Sequence, residues 1–247
     1  MKTMRNIKLT IEYDGTKYCG WQIQKNAVSI QETLEKTIGN LTSQKVDLRG
    51  SSRTDAGVHA KGMVANFFTL STIPEKNFPA AINGLLPHDI VIINAQEVGS
   101  SFHSRYDSLG KKYSYTIINR KAPSALLKNY AAHISYELNV NIMKEACSYF
   151  VGTHDFYGFM SSGSCVKSTI RSVKALEIEN SGEIIKVYIT ADGFLYNMVR
   201  IIAGTLIDVG KGKIKLEHIA DIINSKERKR AGNTAPAQGL CLEHVYY

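Results

Sequence analysis

The sequence predicts an α+β protein of two similar lobes with antiparallel sheets, not a doubly wound parallel sheet. Three observations lead there. Residues 5 to 13 alternate as a strand and are followed by a helical repeat. The same order of strand, helix and further strands begins again near Lys112. A modest polar stretch at Gly99 to Ser104 is the one linker candidate, dividing the chain into lobes at 1–104 and 105–247.

In the first lobe Ile7, Leu9 and Ile11 alternate with polar residues, the period of a half-buried strand, and Asp14 and Gly15 then turn the chain. Ser29 with Glu32 three residues later forms a capping box, and Ile30, Leu34, Ile38 and Leu41 continue at helical spacing until Gly39 and Asn40 loosen the end. Residues 46 to 50 and 62 to 70 read as strands flanking a polar loop, SSRTDAGVHA, at 51 to 60. A helix around Pro74 to Asn83 and a strand at Ile90 to Gln96 complete this half. In the second lobe Lys112 to Asn119 alternates as a strand. Val140, Met143, Cys147 and Phe150 recur at helical spacing up to Gly152. Strands at 170 to 179 and 184 to 191 follow, then a helix from Phe194 to Val209 and another near 216 to 224.

Composition narrows the function. With 247 residues, 44% of them apolar and 21% charged, the chain can bury an ordinary core. Thirty Lys and Arg against twenty-two Asp and Glu leave a net charge of +8, which favours an acidic partner, nucleic acid first. Basic runs at Lys111 and Lys112, Arg120 and Lys121, Lys167 to Lys174, Lys211 to Lys215 and Lys226 to Arg230 are candidate phosphate contacts, although each alone could be a solvated face. Cys19, Cys147, Cys165 and Cys241 lie far apart without a C-x-x-C pair, so reduced thiols are expected and neither a zinc ribbon nor a disulfide framework. No signal peptide is read at the start and no bilayer-length apolar run elsewhere, and the cytoplasm is the expected compartment. His59, His88, His103 and His154 lack zinc-ligand spacing, which favours structural roles, and no phosphate-binding glycine motif is present; no metal or cofactor is expected.

The loop at 51 to 60 is where chemistry is expected. It holds Arg53, Asp55 and His59, with small residues on each side of the carboxylate that let a substrate approach closely. On spacing alone, the favoured reading is that Asp55 caps a turn while Gly57 supplies a positive φ. The surrounding sequence adds more. The loop resembles the GRTDAGVHA signature of the TruA family of tRNA pseudouridine synthases. The resemblance runs the length of the chain through YDGTKYCGWQIQ at 13 to 24, NGLLPHDI at 83 to 90 and FHSRYDSLGKKYSY at 102 to 115. It continues in FVGTHDF at 150 to 156, GFLYNMVR at 193 to 200 and APAQGLCLEHVYY at 235 to 247. Two positions depart from the family pattern, Ser52 in place of Gly and Met63 in place of Gln; they bear on substrate detail more than on reaction type.

This resemblance implies the pseudouridine synthase fold, with the two lobes' sheets joined into one extended sheet flanked by helices and an active-site cleft between the lobes. It implies Asp55 as the catalytic aspartate that attacks the target nucleotide, at the ribose, at uracil C6 or by assisting a glycal route, so that uracil leaves through N1 and rejoins through C5. Such an acid must stay ionised in a water-excluding site, where burial would raise its pKa, so a cation must offset the burial. Arg200 matches the arginine that pairs with it, and the apolar residues around Arg200 argue against a merely solvated helix charge. Tyr113 matches the aromatic that stacks on the uracil and helps remove the C5 proton; its other reading is a core strand residue. Arg53 matches the arginine that holds the nucleotide out of its helix, or is an ordinary surface arginine, and His59 joins Arg53 and Tyr113 as a candidate substrate contact. The implied partner is the anticodon arm of tRNA, modified at positions 38 to 40 by a homodimer.

Overall fold

The computed structural model describes residues 3–163 and 166–247, so Cys165 lies outside the described residues. The chain forms two compact units, Met1–Leu109 with Leu242–Tyr247, and Gly110–Cys241. The expected division at 104/105 therefore falls five residues early, and the chain's last strand returns to the first unit. The supposed linker is no linker because Ser104 is fully buried, its amide donating to Asn66 Oδ1 at 2.9 Å.

The first unit comprises β1 (Arg5–Tyr13), α1 (Ile30–Thr42), β2 (Arg49–Gly50), β3 (His59–Thr69), α2 (Phe78–Asn83) and β4 (Ile90–Val98). Strand β1 is central, antiparallel to β3 with Ile7 opposite Phe67 and Leu9 opposite Ala65, and antiparallel to β4 with Leu9 opposite Ala95. Ile7, Leu9 and Ile11 are fully buried, as their alternation requires. Helix α1 starts where expected, the Ser29 hydroxyl accepting from the Glu32 amide at 3.2 Å, and it buries Ile30, Leu34 and Ile38. It does not loosen at Gly39 and Asn40. It continues to Thr42 and closes on Ser43 in the left-handed region (φ 53°), while Gly39 leaves room for the Gln44 carbonyl, which would sit 3.1 Å from an added Cβ.

The strand expected at 46 to 50 shrinks to β2. Val46 and Leu48 are buried, but the backbone of Leu48 is satisfied by α1 side chains: its amide donates to Glu35 Oε1 at 3.0 Å and its carbonyl accepts from Gln31 Nε2 at 3.1 Å. A strand pattern met by side-chain partners does not need a neighbouring strand. The helix expected at 74 to 83 is a 3₁₀ turn at Glu75–Asn77 followed by α2.

The second unit comprises β5 (Gly110–Asn119), β6 (Ala132–Ile134), α3 (Val140–Cys147), β7 (Gly152–Asp155), β8 (Ile170–Ser181), β9 (Ile184–Ala191), α4 (Met198–Gly210) and α5 (Ile219–Ser225). Its strands run in the order β5, β9, β8, β7, all antiparallel as expected, while β6 is parallel to β5 and makes the sheet mixed, with helices beside it. The helix expected from Phe194 starts four residues later, because Asn197 takes the left-handed conformation (φ 61°) and breaks the run. Helix α4 is buried at every position except Arg200. Residues 232–235 close over it so tightly that a Cβ on Gly204 would lie 1.8 Å from the Asn233 carbonyl oxygen.

The last strand, β10 (Leu240–Tyr246), lies beside β3 in the first unit, where Lys61 pairs with Glu243 at 3.0 Å. Strands β6, β7 and β10 carry no expectation from periodicity; two are only three and four residues long, and β10 buries Leu240, Leu242 and Val245, which breaks the alternation. Cys19, Cys147 and Cys241 are thiols outside any disulfide, and burial pushes Cys147 up to about 12. Among the described residues no helix is long and apolar enough to cross a membrane.

Because the Ser29 hydroxyl takes one of the otherwise unpaired amides at the start of α1, Ser29→Ala should cost about 1 kcal/mol, read as a lower urea midpoint at unchanged slope.

Candidate active site

In the first unit the loop carrying Asp55 rests on the turn that follows β1. Gly15 passes so close that a Cβ there would lie 2.0 Å from the Val58 carbonyl oxygen. Gly20, at φ +102°, would place one 2.4 Å from the Thr54 carbonyl oxygen. No side chain fits at either contact, and at Gly20 the backbone itself excludes L-residues. Hydrogen bonds complete the seat: the Trp21 amide donates to the Thr54 carbonyl at 3.0 Å, and the Tyr13 and Thr54 hydroxyls meet at 2.7 Å. Gly20 and Asp55 form an isolated antiparallel bridge. The Val58 amide closes a turn on the Asp55 carbonyl at 3.1 Å, and Gly57 supplies a positive φ of 75°.

The turn role and the chemical role are thus compatible, because the turn uses the Asp55 main chain and leaves its side chain to other partners. Asp55 is partly exposed, with Arg53 and Ala56 exposed beside it. His59 is buried, its Nδ1 lying 3.1 Å from both the Gly15 amide nitrogen and Asp14 Oδ1. A ring nitrogen that accepts from Gly15 has no proton to give Asp14, so the first contact is the hydrogen bond and the second is proximity. That geometry makes His59 an anchor of the loop. Met63 is fully buried, and its sulfur accepts from the Ser51 hydroxyl at 3.4 Å, so this departure from the family pattern is a packing change behind the loop.

In the second unit Tyr113 sits on β5 opposite Ile189, only 6% exposed, its ring edge-on to Phe194 at 5.1 Å between centroids. Arg200 is held on two sides. Its Nε donates to the Ala235 carbonyl at 2.7 Å while the Ala235 amide donates back to the Arg200 carbonyl at 3.0 Å, and its Nη1 donates to Asn197 Oδ1 at 2.8 Å. A guanidinium fixed in this way has one orientation, and planar recognition of a carboxylate depends on orientation. Its charge reaches Tyr115, whose phenol is nevertheless pushed upward by burial and stays a neutral donor to the Pro236 carbonyl at 2.8 Å.

The basic runs are thinner than the sequence suggests. Arg120 bonds Glu183 at 2.8 Å, Lys213 bonds Asp208 at 3.0 Å and Lys226 bonds Asp155 at 2.8 Å. Lys112 lies over the Tyr188 ring and Lys211 over Tyr136. Arg228 folds back onto the Gly232 carbonyl at 2.8 Å and Thr234 Oγ1 at 3.0 Å, which leaves little of the 226–230 run for phosphate. Lys121, Lys167, Lys174, Lys215, Lys229 and Arg230 remain exposed. Sequence reasoning placed Gly15 in a turn but gave neither it, Gly20 nor the Tyr13–Thr54 pair a contact with the loop, although the glycines stand in YDGTKYCGW, where their spacing from the loop gave no hint of it.

Residues 9–107 and 146–247 match the family described as tRNA pseudouridine synthase. Similar proteins include tRNA pseudouridine synthase A 2 of Clostridium perfringens (strain 13 / Type A), 56% identical over 244 residues, covering 99% of this chain and all of that one. The tRNA pseudouridine synthase A of Acetivibrio thermocellus is also 56% identical, and that of Clostridium acetobutylicum 52%, each again covering 99% of this chain and 100% of the relative. A solved Cbf5–Nop10–Gar1 complex matches at 11% identity over 96% of this chain and 48% of that chain, with a TM-score of 0.37, too slight a likeness to argue from. This chain belongs to the tRNA pseudouridine synthase family. Its reaction class is accordingly an isomerisation, the formation of pseudouridine in tRNA.

Gly20→Ala should move the Asp55 loop because the backbone cannot hold this φ with a Cβ. The expected result is a loss of about 1–3 kcal/mol in urea unfolding together with a fall in pseudouridine formation by the protein that remains folded.

Proposed function

We propose that this protein converts uridine to pseudouridine in the anticodon arm of tRNA, at positions 38 to 40, as a cytoplasmic homodimer with Asp55 as its nucleophile. The observation that carries the reading is the GRTDAGVHA-like loop, seated on two glycines of the family's N-terminal motif, in a chain that matches tRNA pseudouridine synthases over nearly its whole length.

Asp55 attacks the flipped nucleotide, the bond between N1 and the ribose breaks, uracil turns and bonds to the ribose through C5, the carboxylate is released unchanged, the C5 proton is lost and N1 gains one, so the product is an isomer. Arg200 holds the carboxylate ionised and oriented, since a guanidinium partner offsets the desolvation that would otherwise favour the neutral acid. Tyr113 stacks on the uracil and assists removal of the C5 proton, a role supported by a ring held edge-on by Phe194. Arg53, exposed two residues before Asp55, grips the displaced nucleotide, and His59 acts on substrate only through the loop it anchors. Extruding a base costs a few kcal/mol, which stacking and phosphate contacts supply.

Two measurements test this. Without added metal or nucleotide, the purified protein should convert uridines of an anticodon-arm transcript, detected by carbodiimide-blocked primer extension. Asp55→Asn should lower the rate by more than about 10³-fold while tRNA affinity changes little; an active Asn variant would overturn the assignment. Affinity for tRNA should also fall steeply with salt, by about 10³-fold between 50 and 200 mM if the six exposed cations named above each neutralise one phosphate. A flat response would remove the electrostatic half of the reading.

A further inference from the structure

Behind the Asp55 loop the first unit buries a row of polar side chains where an apolar core would be expected. Asn6, Ser51, Asn66 and Ser104 are all essentially inaccessible. Buried polar groups are costly unless each is satisfied, and here they satisfy one another in a definite order. Asn66 Nδ2 donates to Asn6 Oδ1 at 2.9 Å, and Asn6 Nδ2 donates to the Gly99 and Phe102 carbonyls, each at 3.0 Å. The Ser104 amide donates to Asn66 Oδ1, and the Ser104 hydroxyl donates to the Arg49 carbonyl in β2, two residues before Ser51.

The row ends on Tyr247. Its phenol donates to the Ser104 carbonyl at 2.6 Å, and its oxygen can accept from the Ser51 hydroxyl, which otherwise donates to the Met63 sulfur. Its ring packs on Phe102 at 5.2 Å, and Lys8 Nζ lies 5.6 Å from both rings, so the phenol is fixed although Tyr247 is 38% exposed. Ser51 is the first residue of the loop that reaches Asp55 four positions later. Its amide is tied to the Val64 carbonyl at 2.8 Å and its hydroxyl to Met63. The glycine seat holds residues 54–58, and this second fixture holds the loop's entry. Misplacing a reacting group by a fraction of an ångström lowers rate without changing how the rest of the substrate is gripped.

We propose that Tyr247, through Ser104 and Ser51, is a positioning residue for pseudouridine formation, fixing the entry of the loop that carries Asp55. The inference rests on the reading of Asp55 as the nucleophile, and it concerns a side chain that touches neither substrate nor reacting atoms.

Single-turnover rates at saturating tRNA, tRNA dissociation constants and melting temperatures are measured for Tyr247→Phe, Ser51→Ala and the double variant. Tyr247→Phe keeps the ring and removes only the hydroxyl. Its single-turnover rate should fall about three- to tenfold, the scale of one lost hydrogen bond, with the dissociation constant unchanged. The double variant should fall little further than the worse single, because both residues act on one fixture. A merely structural tyrosine would lower the melting temperature and leave the rate of the folded protein at 25 °C alone. A wild-type rate for Tyr247→Phe, fully multiplicative effects, or a loss confined to tRNA affinity would overturn the inference. If Tyr247→Phe fails to fold, Ser51→Ala alone decides, a wild-type rate again being fatal. Asp55→Asn run in parallel separates the two readings. If it stays active, the catalytic assignment has failed; if it is inactive while Tyr247→Phe turns over as wild type, only the positioning role has.

Discussion

The first unit is organised around a main-chain contact that admits no side chain. The carbonyls of Thr54 and Val58 press on Gly20 and Gly15, and the loop between them can present Asp55 only because both positions lack a Cβ. Everything near that contact serves it. Strand β1 carries the chain to the Asp14–Gly15 turn, β3 begins at His59 where the loop ends, and His59 bonds back to Gly15. A carboxylate on a backbone fixed at this many points loses little freedom on meeting a partner.

The second unit meets the same demand by burial. Arg200 is the one position of α4 that is not buried, and its Nε and Nη1 donors are taken up by Ala235 and Asn197. Helix, turn and guanidinium form one rigid piece. Tyr113 is fixed likewise by the strand register and by Phe194. Rigidity comes from glycine contacts in one unit and from a buried helix in the other, two solutions to the same need for a preorganised polar group.

Much of this was legible in the sequence, and the failures have physical causes. Strand β1, the start of α1, and strands β5, β8 and β9 follow from apolar period and capping because their neighbours agree with the local preference. The segment 46 to 50 misled because Glu35 and Gln31 satisfy the backbone of Leu48, an arrangement that periodicity cannot see. The run from Phe194 hid a break at Asn197, where a left-handed residue interrupts an otherwise helical composition. Ser104 looked like linker because Ser and Gly are common in loops, yet it is the centre of a buried polar row. Asp55 stood out only through resemblance; its seat, made of two glycines 40 and 35 residues away, left no trace in local composition. The basic runs promised more than they hold for a similar reason, since Glu183 and Asp155 claim partners from distant parts of the chain, while Asp208 takes Lys213 five residues on.

The tight cover on α4 has a consequence for synthesis on the ribosome. Residues 232–235, which seal Gly204 and Arg200, are translated roughly 25 residues after the helix ends, about one to five seconds at ordinary elongation speed. For that interval a helix apolar on nearly all sides leaves the exit tunnel without its lid. The nascent chain thus passes through a stage at which a holding chaperone, or a nearby sticky surface, can reach it before its own sequence does.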